Sequence, residues 1–474
     1  MSASRGRIAA RAGEPPREAP PRDVRIILQH AGTVLVGQLA AMSFGVADTI
    51  IAGRYAQDAL AALSIGAAIF ISVYVSLMGV MQSLLPIWAE LHGAQRTAEV
   101  GRSARQALYL CALATAGGMA VLLFPGPLLR ATQVPEAMQL AVGQYLGVLA
   151  FALAPALLFR LFSTLNQSLG RPQLVTRLQL GSLLLKLPLS VWLTFGGAGV
   201  PALGLPGCAW ATLIVNWSML LLALWLLRSQ DFYRAYRFWQ RIERPDWRQI
   251  GQFARLGVPG GLAVLVEVTS FTLMALFIAR LGVAATAAHQ IASNLVAVAY
   301  MVPLSLAIAT SARVSFWLGA GDALRARRAC GGGLALALLL ALLVAGLMAA
   351  LRGPLAAIYS DDPAVLASVG ALLLACAGYH VVDALQTLCV FVLRCYRVTV
   401  APLVIYCTLL WGVGLGGSYL LAYQGLGPWA PMRSPLAFWV MSACALAVTA
   451  LLFVLLLWRT AKRRPMPGAA ATAS

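Results

Sequence analysis

Along this chain the apolar residues fall into about twelve runs of roughly 20 residues, each closed by a short polar, glycine or proline break. The runs begin near Ile26, Ala59, Ala104, Leu140, Leu174, Leu205, Phe253, Ala285, Gly331, Ala364, Val398 and Ser434. A helix rises about 1.5 Å per residue, so each run is long enough to cross about 30 Å of hydrocarbon. Lipid offers no partner to backbone N–H and C=O groups, so spanning segments of this length must be helical. The pattern predicts an all-α polytopic membrane protein.

Composition agrees: 60% of the residues are hydrophobic and 11% charged, and the mean hydropathy is +0.81. A soluble fold is excluded. The net charge of +19 would suggest a nucleic-acid partner in a soluble domain, but here arginines crowd every second loop. The basic loops are short and not interleaved with aromatic stacking platforms, so no nucleic-acid partner is expected. The rich segments are the region before Ile26, Arg96 to Arg105, Arg171 with Arg177, Arg228 to Arg248, Arg325 to Arg328, Arg394 with Arg397, and Arg459 to Arg464. By the positive-inside rule both termini of this multi-pass protein are cytoplasmic. Residues 1–25 and 461–474 are polar or proline-rich and read as disordered cytoplasmic tails. The 8 cysteines lie in or beside apolar runs and form no C-x-x-C pair, which suits reduced packing residues.

The two halves repeat each other. A shift of about 226 residues lays Ala59 to Ile65 beside Ala285 to Ile291, and His92-Gly93-Ala94 beside Leu318-Gly319-Ala320. The longest polar connection falls between them, which divides the chain into a lobe of residues 26–228, a linker of 229–250 and a second lobe of 251–460. With six spans in each repeat, the lobes are related by a pseudo-two-fold axis along the membrane normal and enclose a central cleft. No P-loop is present: Lys186 and Lys462 are the only lysines, and neither follows the required glycine. Transport on such a chain would draw on an ion gradient, with no cofactor and no ATPase subunit. No catalytic constellation such as H-E-x-x-H or G-x-S-x-G occurs, so an enzyme is not expected.

Ionisable side chains inside spans cost roughly 2.5–3.5 kcal/mol each on insertion scales, which makes them functional candidates. Glu267 lies roughly 18 Å of helix from Arg255 and about 20 Å from Arg280, near mid-depth. Asp383 lies about 16 Å from Arg394 by the same rise, and Asp48 only about 9 Å from Arg54, in the outer half. Two roles are open for these acids. Asp48 could be neutralised by Arg54, and Glu267 and Asp383 could pair with Lys186 or His380; otherwise the three acids bind a coupling cation or a proton. The neighbours favour the second role. His380, Asp383 and Thr387 share a helical face flanked by Gln386, while His289 with Ser293 and Gln290 with Asn294 make i, i+4 polar pairs. Carboxylates with hydroxyl and amide oxygens suit a hard monovalent cation, so Glu267 and Asp383 are the candidate Na+ ligands; a desolvated carboxylate equally suits a proton. "LGVPGG", from Leu256 to Gly261, could bend the helix two turns before Glu267.

These residues resemble a known family. "FGVADTIIAGR" around Asp48, "AALSIG", "EVTSF" at Glu267, "AAHQIASN", "ARVSFWLGAGD" and "YHVVDALQ" at Asp383 occur in the order found in multidrug and toxic compound extrusion transporters of the NorM-like bacterial branch. The resemblance implies two six-helix bundles that export organic, chiefly cationic, drugs by alternating access in exchange for Na+ or H+, acting as a monomer in contact with membrane lipid. It implies roles in proton or substrate-cation handling for Asp48 and in cation coupling for Glu267 and Asp383. Lys186, in "LLLKLPLS", departs from the pattern, because similar sequences usually carry a neutral polar residue there. A buried ammonium facing the first-lobe cavity would repel cationic drugs, leaving neutral or zwitterionic substrates open, and could pair with Asp48. The wider superfamily also contains lipid-linked oligosaccharide flippases, the alternative reading, but these would be expected to line the cleft with several basic residues.

Overall fold

The computed structural model describes residues 20–463 apart from 132–134, 198, 360–361, 426 and 429. Residues 1–19 and 464–474, where most of both expected disordered tails fall, lie outside the described residues. Among the described residues, twelve helices are long and apolar enough to cross a membrane. They are α1 (Asp23–Tyr55), α2 (Gln57–Gly93), α3 (Thr97–Leu123), α4 (Met138–Ser168), α5 (Pro172–Phe195) and α6 (Leu205–Ser229) in the first lobe. The second holds α7 (Trp247–Ala279), α8 (Val283–Gly319), α9 (Ala323–Ala350), α10 (Val365–Cys395), α11 (Val400–Gln424) and α12 (Pro435–Lys462).

Several helices start earlier than the apolar runs do. The helix containing α1 begins at Pro20, not Ile26; α7 and α9 likewise open with an arginine-bearing turn, and α3 opens at Thr97 with Glu99 in its first turn and Arg102 in its second. The cause is physical: a helix continues past the hydrocarbon into the interface, where basic side chains are welcome. Caps fix two of these starts. Asp246 accepts from the N–H groups of Arg248 and Gln249, both at 3.1 Å, and Asp322 accepts from that of Arg325 at 2.8 Å. In α11 the helix widens to π geometry over Cys407–Gly416 and Leu420–Gln424, which the apolar pattern does not reveal.

The linker is docked rather than slack. Arg105 of α3, its side chain 6% exposed, binds the Glu243 carboxylate through Nε at 2.8 Å and through Nη2, and donates to the Arg237 carbonyl at 2.6 Å. Gln106 donates to the Arg244 carbonyl and accepts from the Asp246 N–H, while Tyr109 donates to the Glu243 carbonyl. The Arg171 guanidinium stacks 3.7 Å from the Phe232 ring. The linker is thus bound to the first lobe, and the chain is free to pivot only as it enters α7.

The lobes meet near their arginine-rich ends, called the basic side below. There is no room for a Cβ at Gly93, which faces the Phe316 carbonyl, or at Gly319, which faces that of Glu90. These are repeat-related pairs contacting each other reciprocally, as an isologous two-fold interface requires. Gly257, Gly260 and Gly261 of α7 lie in the same way against Val80, Ser83 and Ser76 of α2. The glycines of "LGVPGG" therefore serve close packing between lobes, and α7 stays one helix through Pro259. Two ion pairs reinforce the seam: Asp23 with Arg313 at 2.5 Å, joined by the Trp317 indole at 3.3 Å, and Glu90 with Arg397 at 2.7 Å. The basic half of α1 packs Ile27, Ala31 and Val34 into the second lobe's core, whereas Ile51 and Ala52 belong to the core of the first.

Hydrogen bonding from Arg105 holds the Glu243 carboxyl at about 2, against an ordinary 4.5. A depressed carboxyl pKa stabilises the docked linker above pH 4.5, and that contribution fades as pH falls toward 2. The protection factors of the linker amides, taken against the intrinsic exchange rate at each pH, should fall across this window in the wild type. In Glu243→Gln they should be low throughout; equal protection in both proteins would show that the ion pair does not hold the linker.

Candidate functional site

In the first lobe, Asp48 is fixed by the elements that pack around α1. Lys186 on α5 pairs with Asp48 Oδ1 at 2.8 Å, with the lysine side chain 0% exposed and the aspartate side chain 10%. The same Nζ donates to the Cys208 carbonyl at 3.1 Å and to Thr212 Oγ1 at 2.6 Å, both on α6. An ammonium has three protons, and all three are used. Ser190, one turn after Lys186, donates to Asp48 Oδ1 at 3.3 Å. Lys186 therefore pairs with Asp48, and neither Arg54 nor the second-lobe acids take that place. Its charge is enclosed with its partner, instead of facing the cavity as expected.

In the second lobe, Glu267 and Asp383 lie within each other's field, and the Arg394 guanidinium reaches Glu267 as well. Gln386 Nε2 donates to Asp383 Oδ1 at 2.8 Å and lies 3.2 Å from Thr387 Oγ1, while Tyr406 donates to Gln386 Oε1. The Tyr300 hydroxyl lies near Thr387 and shares the field of both acids. Two carboxyl groups, one guanidinium and several hydroxyl and amide oxygens are gathered on α7, α8, α10 and α11. With both carboxyls ionised, the group carries one unit of negative charge. Oxygen donors of this kind could hold Na+, and among the described residues no set of three or more His, Cys, Asp or Glu points to a transition metal.

The expected supporting residues divide. Gln386 and Thr387 join the acids, but His380 does not: both its ring nitrogens lack a hydrogen-bond partner among the described residues, and it is fully buried. His289 lies 3.4 Å from Ser293 and packs against Trp439, away from the acids' hydrogen bonds. Gln290 donates to Asn294 at 3.4 Å, and both are exposed on α8. Exposed amides inside a span mark a water-filled surface, which places these two on the cleft.

Several neighbours of the acids lie outside the sequence reading. Tyr300 and Tyr406 carry no signal that separates them from packing tyrosines. Arg394 was assigned to a loop, yet it is 4% exposed. Helix side chains lean toward the N-terminus, so an arginine near the end of α10 reaches back into the membrane. Arg160 on α4, alone in the apolar run "LLFRLF", is 5% exposed and faces Tyr74; that lone charge was the available signal.

Comparison with known proteins gives a consistent pattern. The family model MatE matches residues 34–192 and 259–420, one segment in each lobe. The "Probable multidrug resistance protein NorM" of Aromatoleum aromaticum is 37% identical over 441 residues, covering 93% of this chain and 94% of that protein. The "Multidrug resistance protein PmpM" of Pseudomonas aeruginosa is 35% identical over 444 residues, covering 93% and 92%. Among solved structures, the eukaryotic MATE transporter AtDTX14 superposes with a TM-score of 0.83 at 18% identity, over 94% of this chain and 99% of that one. The Vibrio cholerae MATE transporter VcmN, in its bent form, gives 0.80 at 18% identity, over 94% and 98%.

Removing one member of a buried ion pair leaves the other charge uncompensated, at a cost of roughly 3–5 kcal/mol. Asp48→Asn should lower the unfolding free energy in detergent by that order, and adding Lys186→Met should recover most of it. No recovery in the double variant would mean that the two charges do not balance each other.

Proposed function

The chain belongs to the MatE family, and from that premise we propose that it exports organic cations in exchange for one monovalent cation, Na+ or H+, at the second-lobe acids. It is a multi-pass inner-membrane multidrug efflux transporter, a secondary transporter and not an enzyme. The observation that carries the exchange reading is the charge count at Glu267, Asp383 and Arg394: two acids against one base.

Repulsion between buried carboxylates makes the empty site costly, and one proton or one sodium ion removes the excess charge. An organic cation can remove it too. Ion and drug then compete for one negative site, so the arrival of either favours release of the other, and a ligand shifts the lobes only by its differential affinity for their two arrangements. The seam on the basic side, together with the exposed Gln290 and Asn294 nearer the other end of α8, supports a cleft open away from the arginines. By the positive-inside rule that is an outward-facing state, with both termini in the cytoplasm. A flippase for lipid-linked oligosaccharide finds less support, because Lys186 spends all three donors inside the lobe and offers none to a lipid phosphate.

The test is ethidium flux in proteoliposomes under an imposed sodium gradient and then a proton gradient, for the wild type and Asp383→Asn. Flux driven by one gradient in the wild type and lost in the variant supports the reading and identifies the ion. Wild-type protein that binds ethidium but answers neither gradient would overturn it.

A further inference from the structure

The Lys186 ammonium stands where a mobile cation would have to stand to neutralise Asp48. Its 2.8 Å contact with Oδ1 is an ion-pair distance, and the two other acceptors, the Cys208 carbonyl and the Thr212 hydroxyl, complete its hydrogen bonding. The groups facing the pair are few. Ser190 lies on α5 and Cys208 and Thr212 on α6, while the field of Tyr145 on α4 overlaps that of Asp48. None of these adds a second acid. The fixed charge around Asp48 is zero; of the other buried cations of the lobe, Arg160 faces Tyr74 and Arg105 binds the linker.

We infer that Lys186 is a tethered counter-cation that takes the place of the coupling ion in the first lobe, so that one ion, carried by the second lobe, accompanies each transport cycle. A tethered charge cannot be released to either side of the membrane, so it contributes nothing to the work done by an ion gradient. It also keeps substrate ammonium groups off Asp48 and leaves the second-lobe acids as the cation site. The inference rests on the exchange reading above only for the second-lobe count; the first-lobe claim stands on the ion pair itself.

The number of ions per cycle is measurable. With membrane potential clamped to zero in proteoliposomes, a tenfold gradient of the driving ion should be balanced by a substrate gradient of about tenfold in the wild type. In Lys186→Asn, Asp48 must recruit a mobile ion, and the balancing gradient should rise to about a hundredfold. A ratio in Lys186→Asn equal to that of the wild type would overturn the inference. Should that variant not reconstitute, Asp48→Asn with Lys186→Asn removes both charges and asks the same question. It keeps the wild-type ratio if Asp48 carries no ion, and loses one ion's worth of gradient if it does. Asp383→Asn in the same assay separates the two claims: a wild-type ratio there would defeat the second-lobe reading, while the Lys186→Asn ratio alone decides the first.

Discussion

A charge in hydrocarbon must be matched, and this constraint organises both lobes. Water is absent to solvate a lone carboxylate or ammonium, so each must find a partner, line a wet cleft or exchange an ion. The first lobe adopts the first solution, with Asp48 and Lys186 in contact and every ammonium proton bonded. The second lobe gathers two acids, Glu267 and Asp383, with one guanidinium, Arg394, whose field falls on Glu267; on the exchange reading proposed above, the unmatched acid is what an ion neutralises. Fixed neutrality makes a lobe static, whereas an unmatched charge makes it responsive.

A responsive lobe is useful only if its state reaches the partner lobe. The contact seam provides the route, since Gly260 of α7 lies beside both Ser83 of α2 and the Arg394 guanidinium. Arg394 therefore touches the seam at one end of its reach and the field of Glu267 at the other. Neutralising Glu267 would change the field on Arg394, and the glycine packing beside that guanidinium has no slack to absorb a shift silently. The docked linker adds a second constraint. It travels with α3 and the first lobe, so relative motion of the lobes is concentrated where Asp246 caps α7.

How far this was legible in the sequence varied with the kind of interaction. The span count and the repeat follow from apolar run length and register, which act along the chain. The reciprocal contact at Gly93 and Gly319 was visible only as a sequence match, and its meaning needed the interface. Asp48, Glu267 and Asp383 stood out because an acid in an apolar run is costly. His380 stood out for the same reason and was misassigned, since sharing a helical face with Asp383 does not oblige the imidazole to turn toward it. Arg394 was missed because depth was counted from Cα positions, and an arginine side chain reaches several ångströms along the helix from its own Cα.

The two lobes also differ at matched positions of the repeat. About 226 residues after Lys186 the second lobe carries Gly412 on α11. A Cβ there would meet nothing within 4 Å, and the exposed residue borders an open surface groove of about 1000 Å³ between α7, α11 and α12. Where α5 fills the lobe with a tethered ammonium, α11 leaves open space and widens to π geometry. The widened helix nevertheless grips α7: the Trp411 indole donates to the Val266 carbonyl at 3.3 Å, next to Glu267, and Tyr423 donates to that of Phe277 at 2.6 Å. On the proposed exchange, α7 can shift against α11 without breaking an ion pair, whereas the same movement of α1 would have to break the buried pair of Asp48 and Lys186. The acids are not repeat mates either: 226 residues after Asp48 stands Met274, and 226 before Glu267 and Asp383 stand Ala41 and Leu157, so each lobe places its charges independently.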